Sequence, residues 1–357
     1  MTEQEIIKQL NLKKSKPLVY EKMIKFDEKV ACGESITVIH FQYDTICNMN
    51  CVHCCVPKDK FIKNTSRVLN PTIIKDIFEQ AHEMGLARAD VSGGEPTTFK
   101  ELDKIIEAIV PDRFWIQMET NGYLMTSEKA KHYKDIGIDK IQLSIDSLDE
   151  AAHDKFRRKP GSWKRAINAI DMIKNAGMSI AINTVITHDR LYSKEFIMFL
   201  KFFKEINVPV NFCLAKPVGR WIENRKDLLI ENDSEIIKNL SKIYDISDNV
   251  NLPAYGRIPG CFPFKRLTTI TKYGDVLPCL HLQMTVGNIF DTPLKELIEK
   301  GMKYFEQYEP SCLSSNIDFI NTYINKITDT SRPEPIENVL PLNWRELDKQ
   351  RKLGETK

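Results

Sequence analysis

Residues 36–56 read ITVIHFQYDTICNMNCVHCCV and combine a strand with a cysteine-rich loop. The first nine residues are rich in β-branched and aromatic side chains, which is typical of a strand. Cys47, Cys51 and Cys54 then follow with the spacing C-x3-C-x2-C. Three thiolates this close together can bind three irons of a cubane cluster and leave the fourth iron open for another ligand. An open iron is a site for chemistry, so the pattern predicts an enzyme.

Five further segments with strand character follow this one, and helical segments separate them. We expect strands at 36–44, 87–93, 114–120, 140–146, 179–187 and 209–215. We expect helices at about 70–85, 100–109, 127–136, 162–176 and 192–205. Strands that alternate with helices predict an α/β fold with a parallel sheet and helical crossovers. Ligands of such sheets bind at the carboxyl ends of the strands, where the cysteine loop, GGEP (93–96) and TNG (120–122) all fall.

The pattern changes after residue 215. A charged loop precedes a predicted helix at about 233–247, and a β-hairpin that turns at 273–275 leads to a helix from 292 to about 306. The tail is rich in proline, and we expect it to be irregular. We expect it to pack on the body through three apolar side chains, Leu340, Leu342 and Trp344.

These changes divide the chain into five parts. They are an N-terminal segment, a sheet domain, a linker with a helix, a small C-terminal domain and a tail, at 1–35, 36–215, 216–255, 256–330 and 331–357.

The composition narrows the class of protein. The 357 residues are 42% hydrophobic and 28% charged, which is ordinary for a globular protein. Lys and Arg number 51 and Asp and Glu 49, so the charge of +2 gives no reason to expect nucleic acid or an anionic membrane as a partner. The sequence contains neither a secretory signal nor an apolar run near the roughly 18 residues of a membrane helix. We therefore expect a reducing, cytoplasmic location for the nine cysteines.

The sheet domain resembles the radical S-adenosylmethionine (SAM) enzymes over about residues 34–215. The resemblance rests on CNMNCVHC (47–54), on GGEP (93–96) and on the spacing of the strands. It implies a partial (β/α)6 TIM barrel in which the three cysteines bind one [4Fe-4S] cluster. The open iron of that cluster would take the amino and carboxylate groups of S-adenosylmethionine. An electron from flavodoxin or ferredoxin would then give a 5′-deoxyadenosyl radical that abstracts hydrogen from substrate, an oxidoreductase-like activity.

The same resemblance assigns residues to S-adenosylmethionine. Bare backbone at Gly93 and Gly94, with Glu95 nearby, would hold the methionine ammonium. His53 stands where the family places an aromatic residue against adenine, and Cys55 would be a bystander thiol. The full set of cofactor-binding positions is His53, Gly93, Gly94, Glu95, Pro96, Ser144, Asp146 and Asn183, of which the last three would contact ribose or methionine.

The small C-terminal domain resembles the auxiliary-cluster domains called SPASM and twitch. Cys261, the hairpin motif GDVLPC (274–279) and Cys312 reproduce the family pattern. The resemblance implies a second, auxiliary [4Fe-4S] cluster on Cys261, Cys279 and Cys312. Ser315 stands where the family has a further cysteine, so the fourth ligand stays open between Ser315, another oxygen ligand, water and the substrate.

The metal sites have plainer explanations. Cys47, Cys51 and Cys54 could form a structural zinc site completed by His53 or Cys55. The second trio of cysteines could be buried thiols that act as small apolar side chains.

Other candidate residues also have plainer explanations. Ser144 and Asp146 could be a hydrogen-bonding pair at a strand end. Cys213 is favoured as a core thiol, but it could also face the substrate and return a hydrogen atom to a substrate radical. The basic run 157–159 is favoured as solvated charge over a grip on a substrate carboxylate or phosphate.

Three functions compete. The leading hypothesis is hydrogen abstraction from a ribosomal peptide that ends in a crosslink, a thioether or an epimerised residue. The N-terminal segment is too short for a separate peptide-binding domain, so a partner protein would recognise any leader. The alternative is oxidation or epimerisation of a small polar metabolite such as a sugar or aminocyclitol. An iron–sulfur electron carrier without catalysis would explain the cysteines but not GGEP or the SID motif (144–146).

Overall fold

The structure is a computed structural model. It describes residues 3–25, 28–29, 32, 38–56, 66–224, 226–230, 232–248, 260–261, 263–306, 312–327 and 332–355. Residues 249–255 at the end of the predicted linker and residues 256–259 at the start of the predicted C-terminal domain lie outside the described residues.

The described strands form one large sheet and one small one. The large sheet contains β1 (Val38–Asp44), β2 (Arg88–Gly93), β3 (Trp115–Thr120), β4 (Lys140–Ser144), β5 (Ser179–Ile186), β6 (Val210–Leu214), β7 (Ile246–Asp248), β8 (Leu267–Ile270) and β9 (Val276–Leu277). Their order is β7-β6-β5-β4-β3-β2-β1-β8-β9, and all neighbours are parallel except β8 and β9. The six predicted strands are β1 to β6, which confirms the α/β fold with an open partial barrel. The small sheet pairs β10 (Met284–Thr285) with β11 (Glu334–Pro335).

Helices connect these strands and cover the sheet. They are α1 (Glu3–Ser15), α2 (Pro17–Ile24), α3 (Pro71–Glu83), α4 (Leu102–Ile109), α5 (Ser127–Asp135), α6 (Glu150–Arg157), α7 (Ser162–Asn175), α8 (His188–Leu191), α9 (Lys194–Glu205), α10 (Asp233–Ser241), α11 (Leu294–Tyr304), α12 (Ile317–Thr322), α13 (Ile336–Val339) and α14 (Trp344–Glu355). None of the described helices is both long and apolar enough to cross a membrane.

Local sequence explains where the crossover helices begin. At α3, the Asn70 side chain accepts a hydrogen bond from Ile73 N at 3.1 Å, and Pro71 occupies the first turn, where it loses no helical bond. The apolar residues of α3 then face the sheet and are buried. The other predicted crossover helices begin and end within two residues of their expected bounds.

Several described elements were not predicted, among them α1, α2, α8, α12, α13, β10 and β11. Three others affect the site or the tail. Helix α6 lies between β4 and α7, and Asp149 caps it by accepting a hydrogen bond from Ala152 N at 2.7 Å. Strand β7 occupies residues that we expected to end a helix, because pairing with β6 overrides local preference there. Helix α14 replaces the irregular tail.

The tail packs through aromatic contacts. The Trp344 ring is buried, and its centroid lies 5.3 Å from that of Phe319 and 6.4 Å from that of Phe305. Leu340 is also buried, as expected, but Leu342 is 61% exposed, so its predicted packing was wrong.

The hairpin of the C-terminal part joins the barrel sheet. Strand β8 runs parallel to β1, with Val38 opposite Leu267, and β9 then turns back beside β8. Cys279 lies two residues after the end of β9. This pairing brings the second group of cysteines to the edge of the sheet that carries the first group.

Candidate active site

The GGEP turn after β2 fastens the cysteine loop to the barrel. Gly94 N donates to Asp44 O at 2.7 Å, and Glu95 N donates to Ile46 O at 2.8 Å. A Cβ on Gly94 would lie 1.9 Å from Ile46 O, and one on Gly93 would lie 2.2 Å from Asp44 O. The bare backbone that we expected to approach a ligand therefore makes room for the cysteine loop.

Glu95 ties the ends of β2 and β3 together. Its buried carboxylate accepts hydrogen bonds from Thr97 Oγ1 at 2.6 Å, Thr120 Oγ1 at 2.5 Å and Asn121 N at 2.8 Å. Asn121 Nδ2 in turn donates to Asn48 Oδ1 in the cysteine loop at 2.8 Å. The carboxylate thus accepts hydrogen bonds from the chain and also lines the cavity. Its expected place near the methionine ammonium stays a prediction.

The first three cysteines line one cavity of about 350 Å³ with Gly93, Gly94 and Glu95. All three are free thiols. Burial raises the pKa of Cys47 to about 12 and that of Cys54 to about 11. A cysteine binds metal as a thiolate, so these buried thiols must ionise to act as ligands. The positive charge of bound iron would offset the free-energy cost of that ionisation.

The donor groups fit a cluster of several irons. Within the described ranges, no three His, Cys, Asp or Glu side chains are grouped to hold one metal ion. A cubane needs only one thiolate on each of three irons, so its ligands do not converge on a single ion as those of zinc do.

Arg157 is buried at the cavity and is not solvated, contrary to the favoured expectation. Its Nε lies 2.6 Å from Asp146 Oδ2, and its side chain lies beside Cys51. Burial opposes the ionisation of Asp146, but Arg157 outweighs burial and lowers the pKa of Asp146 well below its usual range. Asp146 also accepts a hydrogen bond from Val185 N at 2.9 Å. Asp146 is not among the cavity-lining residues, and it positions Arg157 instead.

His53 lies in an aromatic stack beside the cavity. Its ring is stacked on Phe156 with 4.3 Å between centroids, and Trp221 packs edge-on at 6.0 Å. Burial lowers the pKa of His53 to about 3, so the ring is neutral at physiological pH. Helix α6 supplies Phe156 as well as Arg157. Phe156 was missed because that helix was not predicted, and Arg157 was considered for substrate binding only as the less favoured alternative.

Two further predicted positions lie in the cavity wall, and one does not. Ser144 and Asn183 are neighbours across β4 and β5 and both line the cavity. Pro96 is buried and begins a short 3-10 helix, Pro96–Thr98. Its expected contact with S-adenosylmethionine stays a prediction.

The second trio of cysteines lines the same cavity. Cys261, Cys279 and Cys312 come from three separate segments that the hairpin and the following loop bring together. Lys216, which follows β6, places its Nζ 3.2 Å from Cys312 Sγ and 3.4 Å from Ser315 Oγ. Burial opposes ionisation of Cys312, but Lys216 lowers the pKa of this thiol. Sequence alone gave no signal for this contact, because the two residues are 96 positions apart.

The inner face of the barrel presents acidic and amide groups to the cavity. Glu119 lies deep in the protein, yet 31% of its side-chain surface is open and it lines the cavity. Its Oε2 accepts a hydrogen bond from Ser92 Oγ at 3.1 Å and lies 3.9 Å from His40 Nε2. His40 Nδ1 is buried without a hydrogen-bond partner in the described part of the chain.

Cys213 lies in the wall of this cavity as well. Burial, with a further contribution from Glu119, raises its pKa to about 12. Cys213 is therefore a protonated thiol near neutral pH. Its position in the cavity wall differs from the favoured expectation of a core thiol.

Comparisons with known proteins agree with this architecture. The family model of the radical SAM superfamily matches residues 44–202, and that of the SPASM iron–sulfur cluster-binding domain matches residues 261–314. Among curated proteins, the chain is 23% identical to the AdoMet-dependent heme synthase of Methanosarcina barkeri, over 79% of this chain and 87% of that protein. It is 25% identical to the GTP 3′,8-cyclase of Clostridium botulinum, over 71% and 84%.

Solved structures share the fold at lower identity. SuiB from Streptococcus suis, bound to the precursor peptide SuiA, superposes with a TM-score of 0.61 at 16% identity, covering 88% of this chain and 79% of that one. The anSMEcpe enzyme with bound AdoMet superposes with a TM-score of 0.59 at 17% identity, covering 88% and 95%. The two family models identify residues 44–202 as a radical SAM domain and residues 261–314 as an iron–sulfur cluster-binding domain of the SPASM type, the domains of a radical SAM enzyme.

Proposed function

We propose that this enzyme takes a hydrogen atom from a substrate held in the cavity between its two groups of cysteines. Cys47, Cys51 and Cys54 would hold the cluster that binds S-adenosylmethionine, and the second trio would hold an auxiliary [4Fe-4S] cluster. When bound, the first cluster and S-adenosylmethionine supply the 5′-deoxyadenosyl radical. The observation that carries the proposal is that both trios line one cavity.

The residues of the chain would bind and orient the substrate and shield the radical from water. The bonds from Gly94 and Glu95 hold the cysteine loop in place, and the aromatic stack around His53 covers one side of the site. Arg157, fixed by Asp146, presents a permanent cation beside Cys51, where it can bind a carboxylate. The protein thereby keeps water and other reactants from the radical while the cofactor performs the chemistry.

We favour a small polar substrate. Glu119 offers an open carboxylate on the inner face of the barrel, and the amides of Gln142, Asn183 and Asn211 line the same cavity. Such groups bind hydroxyl and amino groups. Asn211 Nδ2 donates to Asn183 Oδ1 at 2.9 Å, and the remaining polar atoms of these side chains suit a polar substrate better than an apolar one. The names of the heme synthase and GTP cyclase relatives also point to small molecules, and each alignment spans over two thirds of this chain.

A peptide is the second candidate. It is supported by the likeness to SuiB bound to SuiA and to anSMEcpe bound to the Cp18Cys peptide. In either case Cys213 would be placed to return a hydrogen atom to a substrate radical, because it stays a thiol in the cavity wall. If Cys213→Ala leaves the product and its uptake of solvent hydrogen unchanged, Cys213 has no such role.

The function is tested by anaerobic reconstitution. We expect about eight irons per chain and formation of 5′-deoxyadenosine from S-adenosylmethionine and dithionite. Replacing Cys47, Cys51 and Cys54 by Ala should remove about four irons and abolish 5′-deoxyadenosine. Replacing the second trio should remove about four irons and leave the signal of the first cluster in place. Protein that binds only zinc, or that forms no 5′-deoxyadenosine with both clusters present, would overturn the proposal.

The substrate classes are separated by co-incubation. Anaerobic enzyme is incubated with pools of phosphorylated sugars, aminocyclitols and nucleotides, and separately with peptides encoded beside its gene. The small-molecule assignment requires 5′-deoxyadenosine formation to rise with a member of the first pools, and a rise only with a peptide would refute it.

A further inference from the structure

Lys216 stands at the junction between the barrel and the auxiliary site. It follows the end of β6 by two residues, and its side chain lines the cavity. Its Nζ is 3.2 Å from Cys312 Sγ and 3.4 Å from Ser315 Oγ. Cys312 Sγ also lies 3.1 Å from Ser314 Oγ. One ammonium therefore contacts both the third cysteine of the auxiliary trio and the serine at the position where the family has a cysteine.

No carboxylate accompanies this lysine. Among the residues that the structure describes, Lys216 forms no ion pair with Asp or Glu. A buried cation without a negative partner is costly, and thiolates are the anionic groups available beside it. Cys312 is in direct contact, and Cys261 and Cys279 are close enough to interact electrostatically. Lys216 therefore lies beside the thiols that would bind an iron–sulfur cluster, and its positive charge would act on that cluster.

We propose that Lys216 sets the reduction potential of the auxiliary cluster by holding it more positive than the cysteine ligands alone would. The proposal rests on the assignment of Cys261, Cys279 and Cys312 as ligands. Reduction adds one negative charge to a cluster, and a fixed cation stabilises the reduced form more than the oxidised form. Hydrogen bonds to the sulfurs act in the same direction, and the low dielectric of a buried site preserves both effects. Lys216 is therefore a positioning residue of the auxiliary site.

The test measures the auxiliary cluster in isolation. Full-length protein with Cys47, Cys51 and Cys54 replaced by Ala is reconstituted anaerobically and titrated with dithionite, with the reduced cluster followed by electron paramagnetic resonance. Lys216→Met should lower the equilibrium constant for reduction of the auxiliary cluster at least tenfold. For a one-electron couple this makes the reduction potential more negative by about 59 mV. Lys216→Arg, which keeps the charge, should stay near the parent protein, and Lys216→Gln should lie between Arg and Met. Lys242→Met, which removes an exposed lysine, controls for net charge and should leave the potential unchanged.

The outcomes separate this proposal from the function it rests on. If replacement of the second trio removes no iron, the ligand assignment and the role of Lys216 both fail. If the irons are present and the Met, Gln and Arg variants share one potential, only the role of Lys216 fails. If Lys216→Met loses the auxiliary irons, the reduction potentials of Lys216→Arg and Lys216→Gln are compared instead. Equal reduction potentials in these two variants would overturn the proposal.

Discussion

Gly94→Ala should disrupt the scaffold of the cysteine loop. The new Cβ would lie 1.9 Å from Ile46 O and 2.7 Å from Thr45 C, and these are backbone atoms that cannot move aside as a flexible side chain can. The two hydrogen bonds that join the GGEP turn to the loop would be lost with the displacement. Each contributes about 1 kcal/mol net, and forcing the backbone apart costs about 1–3 kcal/mol. We therefore expect the free energy of unfolding to fall by about 3–5 kcal/mol.

The assay combines denaturation with iron counting. Cluster-free Gly94→Ala protein is unfolded in urea beside Gly177→Ala. Gly177 has φ +74° and an open surrounding, so Ala there tests backbone strain without a clash and should cost only about 1–2 kcal/mol. After anaerobic reconstitution, Gly94→Ala should hold about four irons instead of about eight, because the first cluster loses its loop. A Gly94→Ala protein that unfolds like Gly177→Ala and keeps all its iron would refute the reasoning.

Three further predictions concern stability and are measured by urea unfolding of cluster-free protein. Arg157→Met should destabilise by about 3–5 kcal/mol because it leaves Asp146 buried and unpaired, and adding Asp146→Ala should recover part of the loss; a double variant no better than the single one would contradict this. The Asp154 carboxylate accepts three hydrogen bonds at the start of α7, which lower its pKa despite partial burial. The Asp154 carboxylate contributes to stability above the ordinary Asp pKa of about 3.9, and this contribution is lost as pH falls through the lower pKa of the folded protein. The loss of stability in Asp154→Asn should therefore be full at pH ~7 and smaller near pH ~3. A loss that does not change with pH would exclude this cause. Trp344→Ala should cost about 3–5 kcal/mol, whereas Leu342→Ala, at an exposed position, should change stability by under about 0.5 kcal/mol, and equal effects would show that the tail does not pack as described.

Local patterns determined much of the fold and the candidate metal ligands. The strand that precedes Cys47 and the Asn70-Pro71 helix start depend on neighbouring residues, so they can be read from the sequence. The spacing of the first three cysteines and the hairpin before Cys279 are equally local. Each of these features lies where it was expected, and the two cysteine groups share one cavity.

The roles of the charged residues needed the tertiary structure. Arg157 and Lys216 look like solvated charge in the sequence, because most basic residues are exposed. Their partners Asp146 and Cys312 lie 11 and 96 positions away, and only the folded chain brings the pairs together. Glu95, likewise, accepts hydrogen bonds from Thr120 and Asn121, at the end of a different strand and just after it.

Local propensity and the spacing of the cysteines are enough to predict a parallel α/β sheet with cysteine-bearing loops at one edge. Only the packing of whole elements places β8 beside β1, brings both cysteine groups to one cavity and puts Lys216 next to the second group. These contacts join residues far apart in the chain, and their geometry depends on how whole elements pack, which no short stretch of sequence specifies.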